Sequence, residues 1–313
     1  MADRIGSGAF TYEVEPAWAQ LPAGWIIKDT PDVLVDDAHD RVYVFTRWKH
    51  PVMVFDRAGT FITSWGSDLF TVPHGLSMGP DGHLYCVDAF GHCVRKCTIG
   101  GEVLQVWGTP DRNSGHYSGK PFNGPTKVAF DPATGDMYVA DGYGNARVHK
   151  YSAAGDYLFS WGEPGQGPGQ FNLVHSVQTD RAGNVYVASR EGHRVQVFDS
   201  AGTYLSEWRT GVHRPNGFFI SAAGRDRELV YVGEAGAGFG ENRGIRGFGD
   251  CLAIFELDGT CLARIYHDAP VMHGPHGIGV DADGNIYLTQ VLWGNGPWID
   301  PMDKQMMLRL RRV

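Results

Sequence analysis

No stretch of the 313-residue sequence approaches the 18 or more apolar residues that a membrane-spanning helix needs. The first ten residues, MADRIGSGAF, likewise hold no apolar core of a secretory signal. The expectation is a soluble, cytoplasmic protein with no membrane partner. Basic charge is short as well, because 27 Lys and Arg against 35 Asp and Glu leave a net charge of −8. Such a surface offers a phosphate backbone no electrostatic footprint, so no nucleic-acid partner is expected. Cysteine is sparse and odd in number. Cys86, Cys93, Cys97, Cys251 and Cys261 show no CxxC spacing, so neither a thiolate zinc site nor a disulfide scaffold is indicated. They read as small buried apolar residues. Charged residues make up 20% of the chain, too few for a disordered one, whereas 42% hydrophobic residues can build a sizeable core.

Glycine is what abounds. Its 43 residues in 313 are roughly twice ordinary usage, and they are spread evenly, which means many turns. A Tyr followed by an apolar residue, in a short alternating run after an Asp/Gly turn, recurs at Tyr43, Tyr85, Tyr138, Tyr186, Tyr231 and Tyr287. The clearest unit, SVQTDRAGNVYVASREGHRVQVFDSAGTYLSEW (176–208), reads as four strands joined by turns. Six such units predict an all-β fold, a six-bladed β-propeller with four-stranded antiparallel blades around a central cavity, forming a single domain over 1–313. The sixth unit runs out after MMLRLRRV (306–313), which can supply a third strand but no fourth. The segment FTYEVEPAW (10–18) is therefore expected to close the ring as the outer strand of the last blade. Trp65, Trp107, Trp161 and Trp208 fall at the ends of fourth strands, where they are expected to pack between blades.

In a propeller, the start of each innermost strand and the loop between the second and third strands look onto the same face. The residues at the first position are Asp32, His74, Thr126, His175, Asn216 and His276. Histidine thus occupies alternate blades, with 101 residues from His74 to His175 and 101 again to His276. Three imidazoles converging with an open fourth position are the catalytic zinc pattern, so His74, His175 and His276 are the expected metal ligands, with Zn2+ the expected metal. The second position places Arg47, Tyr143, Arg190 and Glu234 on the rim of the same cavity. A cation there can steady an oxyanion, and a phenol beside a metal can serve as general base. Longer insertions at 109–124, 236–249 and 292–305 are expected to shape a binding face for a small-molecule substrate.

The pattern DxxGxxYVxDxxxxRVxxF with its WG ending resembles NHL-repeat propellers. LFTVPHGLS (69–77), GQFNLVHSV (169–177) and GPHGI (274–278) further resemble the zinc-histidine segments of the peptidyl-α-hydroxyglycine α-amidating lyases, and ADGYGNARV (140–148) resembles their catalytic-tyrosine segment. FTRWKH (45–50) stands where that family has its catalytic arginine. The resemblance implies a zinc lyase that breaks the C–N bond of a carbinolamide, with Tyr143 as base, Arg47 steering the carboxylate or the developing charge, and Arg190 assisting. The leading expectation is a zinc lyase that cleaves a C–N or C–O bond at a hydroxylated carbon of a small molecule. The resemblance does not carry over the family's structural calcium, since Gly277 replaces the Asp that follows the third histidine. Nor does it carry over a disulfide, since Gly144 replaces a cysteine. Two other readings remain open: a zinc hydrolase of a small amide, ester or lactone, and a non-enzymatic NHL scaffold that binds a protein.

Overall fold

The described residues of this computed structural model are 3–222, 226–236, 250–266, 272–291 and 306–313. Among them the regular structure is β-strand, apart from one 3-10 turn at Asp37–His39. No helix among the described residues is long and apolar enough to cross a membrane. The strands form six antiparallel sheets, the blades of a six-bladed β-propeller, and a short parallel pairing of Glu163–Pro164 with Gln170–Phe171. Two compact units carry the blades: Met1–Ser67 with Asn216–Val313, and Asp68–Pro215.

The second unit holds blades two to four. Blade two is Pro73–Met78, Leu84–Asp88, Cys93–Cys97 and Val103–Gly108. Blade three is Pro125–Phe130, Met137–Asp141, Arg147–Tyr151 and Tyr157–Trp161, and blade four is Val174–Thr179, Val185–Ser189, Arg194–Phe198 and Tyr204–Trp208. The second strands of these blades are almost wholly apolar and buried throughout, as in a sheet covered on both faces, whereas the third strands carry buried polar residues such as Arg95, His149, Arg194 and Gln196. Trp107, at the end of a fourth strand, donates its indole N–H to Gly155 O of the next blade at 2.9 Å and packs on Tyr85 and Tyr151. Trp161 packs between blades three and four, against Tyr138 and Phe198, through its ring alone.

The first unit holds blade one (Asp32–Asp36, Arg41–Phe45, Val52–Phe55, Phe61–Trp65) and blade five (Pro215–Ser221, Leu229–Glu234, Cys251–Phe255, Cys261–Tyr266). Blade six is Pro275–Val280, Ile286–Gln290 and Met307–Arg312, and its next strand comes from the other end of the chain. Phe10–Glu15 pairs antiparallel with Met307–Arg312, and Arg4–Ser7 adds a fifth strand outside it. The segment is fastened by apolar burial: Tyr12 and Val14 join a cluster with Leu288, Leu308 and Leu310, while Trp18 packs on Phe55 and Tyr287.

The repeated Asp/Gly turn has a physical reason in both units. Its aspartate takes backbone amides of the turn and then the hydroxyl of the strand tyrosine, as in Asp81 with Tyr85, Asp131 with Tyr138, Asp180 with Tyr186 and Asp281 with Tyr287, all at 3.1–3.4 Å. These tyrosines lock the strand to its turn.

Candidate functional site

The six positions singled out at the start of the innermost strands are all where the pattern put them. In blades two, three, four and six the strand pairing slips at this point: the register jumps from Pro73 to Leu76, from Pro125 to Lys127, from Val174 to Ser176 and from Pro275 to Ile278. A bulge leaves its extra residue out of the ladder and re-aims the side chain, so His74, Thr126, His175 and His276 are freed from ordinary cross-strand pairing. Blade one has no such slip, and Asp32 pairs in register with Phe45.

Four of these six side chains are caught by the backbone of the next blade. His74 Nδ1–H donates to Thr126 O at 2.8 Å, and Thr126 Oγ1–H to Val174 O at 3.2 Å. In the other unit, Asn216 Nδ2 donates to Pro275 O at 3.0 Å and His276 Nδ1–H to Pro31 O at 2.6 Å. A carbonyl can only accept, so His74 and His276 carry their proton on Nδ1 and leave a lone pair on Nε2. This belt of acceptors was not anticipated. Backbone carbonyls leave no side-chain signature, and only the recurrent proline ahead of the site residue marked the place.

In the second unit, His74 and His175 are buried, with ring centroids 4.9 Å apart and their ligand nitrogens within 4.8 Å of each other. The hydroxyl of Tyr143, from the turn after the second strand of blade three, stands between them. It lies 3.0 Å from His74 Nε2 and 3.2 Å from His175 Nε2. Its single proton can go to only one nitrogen at a time. Arg190 places its guanidinium 5.8 Å from the centroid of the Tyr143 ring and donates from Nε to Glu191 at 2.9 Å. Glu191 is clamped from the other side by Arg214. Burial opposes the charge of Glu191, but the two arginines more than offset it and hold its carboxyl below the usual range. Four of the sequence-derived residues, His74, His175, Tyr143 and Arg190, are therefore neighbours. A cleft of about 240 Å³, lined by Tyr117, Phe171 and Leu173 among others, lies in the same unit.

In the first unit, His276 is buried and oriented as described. Arg47 lies in the loop after the second strand of blade one, as expected, and is held by Asp29, with Nη1 3.0 Å from Oδ2 and the two backbones bonded at 3.0 Å. Glu234 differs from expectation: it is the buried last residue of its strand, not a rim residue, and it forms an ion pair with Arg264 and accepts from Cys251. A Cβ on Gly277 would collide with Asp32 and Thr289, so no carboxylate could be borne there. Gly144 is equally tight against Asn123, and all five cysteines are free thiols. Position 236 apart, the insertion at 236–249 lies outside the described residues, as does 292–305.

The sequence pattern of the NHL repeat matches residues 122–151. Human NHL repeat-containing protein 3 is 32% identical over 209 residues, 63% of this chain and 59% of its own length. The probable peptidyl-α-hydroxyglycine α-amidating lyase of Caenorhabditis elegans is 30% identical over 256 residues, 77% of this chain and 67% of its own length. The chain belongs to the NHL-repeat family of amidating lyases and their relatives. A streptogramin B lyase structure matches this NHL-repeat chain with a TM-score of 0.60 over 97% of it and 99% of that structure, at 11% identity, which shows a shared fold alone. The NHL-repeat chain spans about three fifths of the human relative.

Proposed function

We propose that this chain is a zinc-dependent lyase that cleaves a C–N bond, carbinolamide-like, or a C–O bond at a hydroxylated carbon of a small molecule. The observation that carries the reading is the Tyr143 hydroxyl, 3.0 Å and 3.2 Å from the Nε2 atoms of two imidazoles. A phenol in that place sits beside whatever oxygen the imidazoles' metal would attract. The donor set fits zinc: His74 and His276 give Nδ1–H to carbonyls and keep Nε2 for a ligand bond, the usual outer-shell arrangement of metal-binding histidine. His175 is the third ligand by its equivalent place in blade four. When bound, zinc would supply Lewis-acid stabilisation of the oxygen that gains negative charge.

The chain's own residues would do the rest. Tyr143, having first given its own proton to solvent, takes the proton of the carbinol hydroxyl as a phenolate and becomes the neutral phenol. The oxygen's electrons then form the C=O bond as the C–N bond breaks, its electron pair leaves with nitrogen, and nitrogen receives the proton back from Tyr143. A carbinolamide thus gives an amide and a carbonyl compound, with no water added. The Arg190 guanidinium over the Tyr143 ring favours negative charge on the phenol oxygen during the transfer. Arg47, pre-set by Asp29, would bind a substrate carboxylate. Relatives that carry the name amidating lyase support this reaction class.

The test is elemental analysis of the purified protein together with release of glyoxylate from an N-acyl-α-hydroxyglycine. One zinc per chain and turnover are expected. Replacing His74, His175 or His276 by Ala should lower metal content and leave the circular dichroism spectrum of the blades intact, because apolar packing holds the sheets. Full zinc in all three variants would remove the site. Oxygen from labelled water appearing in an acyl product would instead assign hydrolysis of an amide, ester or lactone, and a metal-free, inactive protein would assign a scaffold.

A further inference from the structure

The turn that carries Tyr143 is strapped down by the end of the 109–124 segment. Gly142 N and Tyr143 N both donate to Gly124 O at 3.2 Å, Gly144 N donates to Asn123 O at 2.7 Å, and Tyr117 N donates to Gly144 O at 2.9 Å. Gly124 has φ +83°, and a Cβ there would stand 2.5 Å from Tyr143 Cβ, so the strap lies directly against the side chain it positions. The far side of the same peptide is held by an imidazole: Gly124 N–H donates to His92 Nδ1 at 3.2 Å. Phe90 fills the angle between the two, its ring centroid 6.3 Å from His92 and 5.7 Å from Tyr143.

We infer that His92 is a positioning residue for Tyr143, acting through Gly124 as a neutral hydrogen-bond acceptor, and that its protonation releases the tyrosine turn. The catalytic consequence rests on the reading of Tyr143 as base; the positioning does not. A backbone N–H aimed at Nδ1 needs a lone pair there, and an imidazolium has N–H groups on both nitrogens, so protonation sets two donors head to head. Burial holds His92 below the ordinary histidine range, outweighing the carboxylates of Asp141, Asp88 and Asp111, which face it and favour the charge. A base whose folded value is depressed contributes its stabilisation above the unfolded value, about 6.5, and loses it as the pH falls through the lower folded value. The strap is therefore whole at neutral pH and opens in acid.

His92 has φ +51°, a left-handed conformation that Asn tolerates better than other side chains, and Asn Oδ1 lies close to where Nδ1 stands. His92→Asn keeps an acceptor that cannot titrate, whereas His92→Ala removes it. The measurement is the NMR signal of Tyr143 in full-length protein labelled with ¹³Cζ-tyrosine, assigned by Tyr143→Phe and followed from about pH 7.5 to about pH 5. We expect the wild-type signal to move with the His92 titration, the Asn variant to stay at the wild-type neutral position throughout, and the Ala variant to be displaced at every pH. In turnover, the Asn variant should keep its neutral kcat and lose the acid limb, while the Ala variant loses roughly 10-fold to 100-fold in kcat with KM little changed. Asn and Ala variants that behave alike, or a Tyr143 signal indifferent to both, overturn the inference. A protein that turns over no carbinolamide would sink the lyase reading, and the NMR arm would still decide His92.

Discussion

Thirteen tyrosines occupy the chain, and their surroundings separate Tyr143, whose hydroxyl lies between two imidazoles, from those that build the repeat. Tyr85, Tyr138 and Tyr287 are pushed above the ordinary phenol range by burial, with a turn aspartate alongside to which each donates, so they are fixed donors. Tyr143→Phe should lower turnover by on the order of 10²–10⁴ with zinc retained, since only the phenolic oxygen is lost. Tyr138→Phe should do the reverse: activity stays, while the lost bond to Asp131 costs about 1–3 kcal/mol, read as a lower Tm. Arg47 is tested by its geometry. Lys can keep the ion pair with Asp29 but cannot reproduce a guanidinium's two-pronged grip on a carboxylate. Arg47→Lys should therefore leave Tm nearly unchanged and lower kcat/KM by roughly 10²-fold, about 2.7 kcal/mol. A variant that loses several degrees of stability and keeps its activity would make Arg47 a tie for Asp29 and nothing more.

The repeated element was legible because its signals are local. An Asp/Gly turn, a Tyr four to seven residues on and a terminal Trp all act within one blade or on the adjoining one, so they recur at nearly fixed spacing. The positions of His74, His175, Tyr143 and Arg190 followed from the same offsets. What escaped depends on neighbours distant in sequence. The adjoining innermost strand also runs close beside the site, and in three blades the residue after it shows this: Gly75 has no room for a Cβ against Thr126, nor Gly217 against His276, nor Gly277 against Asp32. Glu234 misled for the same reason, since its offset matches a rim residue while Arg264, thirty residues on, draws it into the sheet. This gives a prediction at the scale of the strand. Gly277→Ala should force Asp32 and Thr289 aside and cost about 1–3 kcal/mol or more, measured by urea unfolding, and it should disturb His276 next to it. Unchanged stability would mean that the close approach is not what selects glycine there.

On the scale of the chain, the two ends meet in one sheet. The outward charges of that pairing, Arg309 and Arg311 against Glu15 and Glu13, are partly exposed, and pairs of this kind contribute little. The inward residues are another matter, because Ile5, Tyr12, Val14 and Trp18 are each less than a tenth exposed. At about 1.5–3 kcal/mol for each buried large apolar side chain, the segment contributes roughly 6–12 kcal/mol, comparable to the whole stability of a typical domain. Removing residues 1–18 should therefore leave a chain that does not hold its native near-ultraviolet circular dichroism and aggregates through the bared edge of Met307–Arg312. Single variants divide the effect. Tyr12→Ala should cost about 3–5 kcal/mol, as large buried rings do. Arg311→Ala should cost less than about 1 kcal/mol. If the charge variant proved the costlier of the two, electrostatics and not apolar burial would be what fastens the N-terminal strand.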